Sequence, residues 1–149
     1  MSCDIHLVLE KRRKDGKWVG IDTFLGHHRL YAKKGEFDWD SPVARGRNYE
    51  RFAALAGVRG NGPAARGLPL DISETTQEMV AQWGGDGHSH SWLPLKEASK
   101  IFLETEYQLA EENGYREKYP ESYYFGVEKY DENDDKFFDN YRIVFWFDN

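Results

Sequence analysis

The sequence predicts a single α+β domain over residues 1–149, in which an antiparallel sheet containing the first and last strands is packed by about three helices. Three observations lead there. Residues 4–10 alternate, with Ile5, Leu7 and Leu9 on one side and Asp4, His6 and Val8 on the other. The closing run Tyr141-Arg142-Ile143-Val144-Phe145-Trp146-Phe147 offers Ile143, Phe145 and Phe147 as a matching face, so pairing the two strands puts both in one sheet. Between them, three stretches space their apolar residues for helices.

Taken in order, residues 4–10 read as a half-buried strand. Asp15-Gly16 supplies a turn, and Trp18-Val19-Gly20-Ile21 returns as the second strand of a hairpin. From Thr23 to Arg47 neither period persists, and a long loop with one short strand near Leu30 is expected. Asn48 then caps a helix whose Tyr49, Phe52, Ala53 and Ala56 make a stripe before Gly57 ends it, with Arg51 on the solvent side. After an irregular connection from Val58 to Leu70, Ser73 caps a helix over Glu74 to Trp83, terminated by Gly84-Gly85. Pro94 opens the longest helix, with Leu95, Ala98, Ile101, Phe102 and Leu109 on one face, running towards Gly114. A strand near Tyr123 to Val127 and a charged turn at Asp131 to Asp135 precede the last strand.

A chain of 149 residues is the size of one ordinary domain, and 40% hydrophobic and 15% aromatic residues suit a folded globule. The net charge of -6 argues against duplex nucleic acid as a partner, because phosphate neutralisation needs a basic face. Small anions remain open, since a few converging arginines bind one on an acidic protein. The single cysteine, Cys3, leaves no intramolecular disulfide framework and points to a reducing compartment; it reads as a small core residue, not a nucleophile. No hydrophobic h-region follows Met1, and no run approaches the roughly 18 apolar residues of a membrane span. A cytoplasmic protein with no membrane partner is expected.

The densest chemistry lies in Gly84-Gly85-Asp86-Gly87-His88-Ser89-His90-Ser91-Trp92. An extended Asp-x-His-x-His turns alternate side chains to one side, and glycines admit close backbone approach to a ligand. Folded over the first strand, this stretch would gather Asp4, His6, Asp86, His88 and His90 into an oxygen and nitrogen cluster suited to a divalent metal (Zn, Mn or Mg). The same set supplies His6, His88 and His90 as general acids and bases. The competing reading is that these groups cap the neighbouring helix and bond the loop. No nucleophile elbow surrounds Ser89 or Ser91. The middle third adds Arg45, Arg47, Arg51, Arg59 and Arg66 beside Tyr49. Arginine forks and aromatic planes are what phosphate and base recognition require, against the plainer reading of solvated surface charge. Arg47, Tyr49, Arg59, Arg66, Ser89, Ser91 and Trp92 are therefore the expected ligand-binding set.

At Cys3-Asp4-Ile5-His6, Arg47-Asn48-Tyr49 followed by Phe52, Leu55-Ala56-Gly57-Val58-Arg59, Arg66-Gly67-Leu68-Pro69 and Asp86 to Trp92, the chain resembles small proteins encoded in phage and prophage genomes. Those proteins open with Met-Gly-Cys-Asp-Ile-His and carry an Asp-x-His-Ser-x-Ser-Trp-Leu segment; here Ser2 stands for the glycine. The resemblance implies phage origin, hence the host bacterial cytosol, and one composite site in place of scattered polar groups. Two functions follow as expectations. One is an accessory, anti-defence protein that binds, and in one variant hydrolyses, a small nucleotide-type anion such as a host immune signalling nucleotide. The other is an interaction protein that inhibits a host enzyme, with the His/Asp cluster structural. A homo-oligomer is compatible with either.

Overall fold

The computed structural model describes residues 2–22, 29–30, 47–112 and 139–149. The expected strand near Tyr123, the Asp131 to Asp135 turn and Arg45 lie outside the described residues. Among the described residues five strands form one antiparallel sheet: β1 (Asp4–Arg12), β2 (Trp18–Asp22), β3 (Arg29–Leu30), β4 (His88–Pro94) and β5 (Tyr141–Asp148), in the order β3-β2-β1-β5-β4. The first and last strands are central neighbours, in register from Asp4 opposite Asp148 to Lys11 opposite Tyr141. Gly16 closes the β1–β2 turn at φ 85, a backbone conformation that suits glycine.

Among the described residues three helices pack the sheet, as the periodicity predicts: α1 (Tyr49–Ala56), α2 (Glu74–Trp83) and α3 (Leu95–Glu112). Asn48 caps α1 by accepting from the Arg51 amide at 3.1 Å, and Gly57 ends it at φ 68, its amide donating to the Ala53 carbonyl at 2.8 Å. Ser73 caps α2, accepting from the Thr76 amide at 3.2 Å. No helix of the described residues is long and apolar enough to cross a membrane.

The sheet is covered on both faces, which corrects the half-buried reading of the first strand. Ile5, Leu7 and Leu9 join Ile143, Phe145 and Phe147 beneath Phe52 and Leu55 of α1 and Leu95, Ala98 and Phe102 of α3. On the opposite face Val8 and Trp146 are buried with Met79 of α2, flanked by Val80 and Trp83. Each large apolar side chain removed from water in this way contributes roughly 1.5–3 kcal/mol. Polar residues on the second face made it look solvated, yet they are paired. The Glu10 carboxylate, fully buried, accepts from Arg142 Nε at 2.7 Å, the Ser73 amide at 3.0 Å and the Thr76 hydroxyl at 2.6 Å. Arg142 also donates to Asp71 at 2.7 Å and lies 4.0 Å from the Trp18 ring centre. Arg51 is a second correction. It is buried, donating to the Thr105 hydroxyl at 2.8 Å and the Phe102 carbonyl at 3.1 Å, so α1 and α3 are joined through it.

Candidate functional site

One end of the sheet, where β1 starts and β5 finishes, collects most of the residues chosen from sequence. α1 places its start and exit there. The Cys3 amide donates to the Tyr49 hydroxyl at 3.3 Å, and Arg47 forks the Asp4 carboxylate with bonds of 2.8 and 3.4 Å. That fork holds the Asp4 carboxyl below the usual carboxylate range. Arg59, in the turn after Gly57, lays its guanidinium 5.5 Å from the centre of the Tyr49 ring. Arg47, Arg59 and Tyr49 all keep exposed surface. Cys3 is buried, and that burial pushes its thiol up while Arg59 pulls it down.

On the α2 side of the same end, His6 Nε2 lies 2.9 Å from Asp148 Oδ1, and its ring stacks on Trp83 with centres 4.0 Å apart. Strand pairing across the β1–β5 seam, with α2 ending at Trp83, puts these groups together.

The glycine-rich stretch arrives from α2 through a 3-10 turn at Gly84–Asp86, which leaves Asp86 exposed. β4 then contains an irregularity. His88 pairs with Phe147 and Ser91 with Phe145, so Ser89 and His90 together oppose Trp146. This is a bulge, and Ser89 takes φ 54 within it. The extra residue reverses the alternation expected for Asp-x-His-x-His. His88 packs on Phe147 with ring centres 6.2 Å apart, on the α1 and α3 face, whereas His90 packs on Trp146 at 6.3 Å, on the α2 face. His88 is held at both nitrogens, Nδ1 being 3.0 Å from Ser89 Oγ and Nε2 3.2 Å from Asn149 Oδ1. His90 Nε2 and Trp146 Nε1 are buried without a hydrogen-bond partner among the described residues. Burial, then the nearby His88, pulls the His90 imidazole below its ordinary value.

The geometry thus brings Asp4, His6, Arg47, Tyr49, Arg59 and His88 to one end and separates Arg66, Ser91 and Trp92 from them. Arg66 bonds Glu97 at 2.8 Å and lies 5.6 Å from the Trp92 ring centre, while its amide donates to the Ser91 hydroxyl at 3.0 Å. With Gly67 donating to the His90 carbonyl at 2.9 Å, these contacts clip the connection after α1 onto β4. Among the described residues no three His, Cys, Asp or Glu side chains are grouped to hold a metal ion.

Sequence reasoning missed Asp148 and Asn149, the partners of His6 and His88, because their role depends on strand pairing that no local pattern displays. It also missed Glu10 and Arg142; a charge inside an apolar strand, with an opposite charge in the matching strand, was the available signal. A cleft of about 570 Å³ lies at the other end of β1, lined by residues that include Arg13, Lys17, Trp18, Asp71 and Glu74, and none of the expected site residues lines it. Compared with protein-family models, curated proteins and solved structures, the chain matches none.

Proposed function

We propose that this is a phage accessory protein that binds a small nucleotide-type anion, such as a host defence signalling nucleotide, at the β1/β5 end of the sheet. The observation that supports this reading is the convergence of Arg47, Arg59 and Tyr49 beside the His6–Asp148 pair. Arg47 and Arg59 present exposed guanidiniums to a phosphate, Arg47 exchanging its fork on Asp4 for one on the ligand, and Tyr49, 36% exposed, offers ring surface to a base. Two guanidiniums set among the Asp4 and Asp148 carboxylates, on a protein of net charge -6, suit one small anion better than a long polyanion. Isothermal titration against cyclic nucleotides, cyclic dinucleotides and ADP-ribose derivatives tests the reading. Micromolar binding to one class, weakened at least tenfold by Arg47→Ala or Arg59→Ala, is expected. No heat with any of them removes the proposal.

One observation favours the interaction reading instead. Leu70 is wholly exposed on the connection after α1, and Leu68 is 36% exposed there. Stoichiometric capture of one host enzyme, lost in Leu70→Asp and kept in Arg47→Ala, is the outcome that this second reading predicts.

A further inference from the structure

Ser89 and Arg59 are the non-glycine residues with positive φ among the described residues, at 54 and 60. Both lie at the candidate site. A β-carbon in this conformation is strained, and such strain persists where the surroundings over-determine it, commonly at functional positions. At Ser89 the bulge is the cause, and its effect is to swing the hydroxyl back onto the preceding side chain, His88, at 3.0 Å.

The protonation pattern of that imidazole follows from its other contact. Asn149 Oδ1 has no proton to give, so the bond of 3.2 Å requires His88 Nε2–H as the donor. A neutral imidazole carrying its proton on Nε2 has a lone pair on Nδ1. In this neutral form the Ser89 hydroxyl, 3.0 Å away, is the donor to that lone pair. A hydroxyl, an imidazole and an amide oxygen are therefore linked in the order in which nucleophile, base and orienting group act in hydroxyl-based group transfer. His88 and Ser89 are both partly open to solvent, and Phe147 backs the imidazole ring.

We propose that Ser89 is a nucleophile, with His88 as its base and Asn149 as the residue that positions that base, acting on a phosphoester. In the first step Ser89 Oγ bonds to phosphorus as its proton passes to His88 Nδ1. The bond from phosphorus to the leaving oxygen breaks, and that oxygen takes the proton from His88. Water, deprotonated by His88, then attacks phosphorus and displaces Ser89 Oγ, which recovers its proton. The choice of a phosphoester rests on the anion site proposed above; the nucleophile does not.

The test uses the full chain and a fluorophosphonate, an electrophile that reports serine nucleophilicity without any nucleotide. One adduct is expected, mapped by mass spectrometry to the peptide carrying Ser89. Ser89→Gly, which suits the positive φ and so keeps the fold, abolishes it. His88→Ala slows labelling about 100-fold, the usual size of a general-base contribution. Asn149→Ala slows it about tenfold, and Asn149→Asp, which still accepts from Nε2–H, restores it; a structural role for Asn149 alone would not give that rescue. No adduct, an adduct on another serine, or labelling of Ser89 that is indifferent to His88→Ala in folded protein overturns the proposal. Labelling at Ser89 without nucleotide binding removes only the anion site, and binding without labelling removes only the nucleophile.

Discussion

His90 is held with its ring against Trp146 and its Nε2 closed off from solvent, so a proton there meets no counter-charge among the described residues. Gly87 completes the enclosure: a β-carbon at that position would stand 3.3 Å from His90 Nε2 and 3.2 Å from Trp146 Cδ1. Its imidazole is therefore depressed in the folded state, by burial first and by His88 second. The unfolded chain then binds the proton more readily than the folded one. Stability contributed by neutral His90 is complete above the unfolded value of about 6.5 and is lost as pH falls from there through the lower folded value. Urea midpoints at pH 7 and pH 5 check this: the midpoint falls with acid, and His90→Phe flattens the fall. An unchanged slope in His90→Phe would rule it out. At this scale the sequence was legible in residue type and blind to partner. His6, His88, Arg47, Tyr49 and Arg59 stood out by chemistry, but the groups that orient the two histidines are Asp148 and Asn149, 142 and 61 positions away.

Among elements, α2 shows how a polar device fastens a helix to an apolar sheet. Its Ser73 cap and Thr76 converge on Glu10, and Arg142 closes the group from β5. With side chains 5% and 0% exposed, Arg142 and Glu10 form a buried pair whose removal as a pair costs less than removal of one member. Arg142→Met is expected to lower the unfolding free energy by about 3–5 kcal/mol, since it strands the Glu10 charge. Adding Glu10→Gln keeps an acceptor for Ser73 and Thr76 without the charge, and the double variant is expected to recover on the order of 1–2 kcal/mol in urea denaturation. Strictly additive losses would show that the pair is not coupled. The elements themselves were readable, because period, caps and turn residues agree at Asn48, Ser73, Gly16 and Gly57. What misled was polarity. Glu10 and His6 on the second face of β1 look like residues facing water, and only the fold shows α2 lying over them. The bulge in β4 was equally hidden, because serine, unlike glycine, does not advertise a positive φ.

At the scale of the molecule, β5 ties everything together. Its Phe145 and Phe147 lie in the core beneath α1 and α3, its Trp146 lies in the core beneath α2, and its two edges pair with β1 and β4. Neither covering layer can separate from the sheet without exposing a face of this strand. Phe147 is the sharpest probe of that arrangement: fully buried, it meets Phe52 at 5.1 Å and Phe145 at 5.9 Å, and it backs the His88 ring. Phe147→Ala is expected to cost about 3–5 kcal/mol, the lost transfer of the ring plus the cavity it leaves. Because tryptophan fluorescence, to which Trp83 and Trp146 on the α2 face contribute, reports side-chain packing while far-UV circular dichroism reports helix content, the two signals should fall together in wild type and in Phe147→Ala, at a lower denaturant concentration in the variant. Two separated transitions would mean that the layers unfold independently and that β5 does not couple them. Coincident transitions that shift together would mean that a change on the α1 and α3 face is felt on the α2 face through one strand. That same strand ends in the Asp148 and Asn149 that hold His6 and His88.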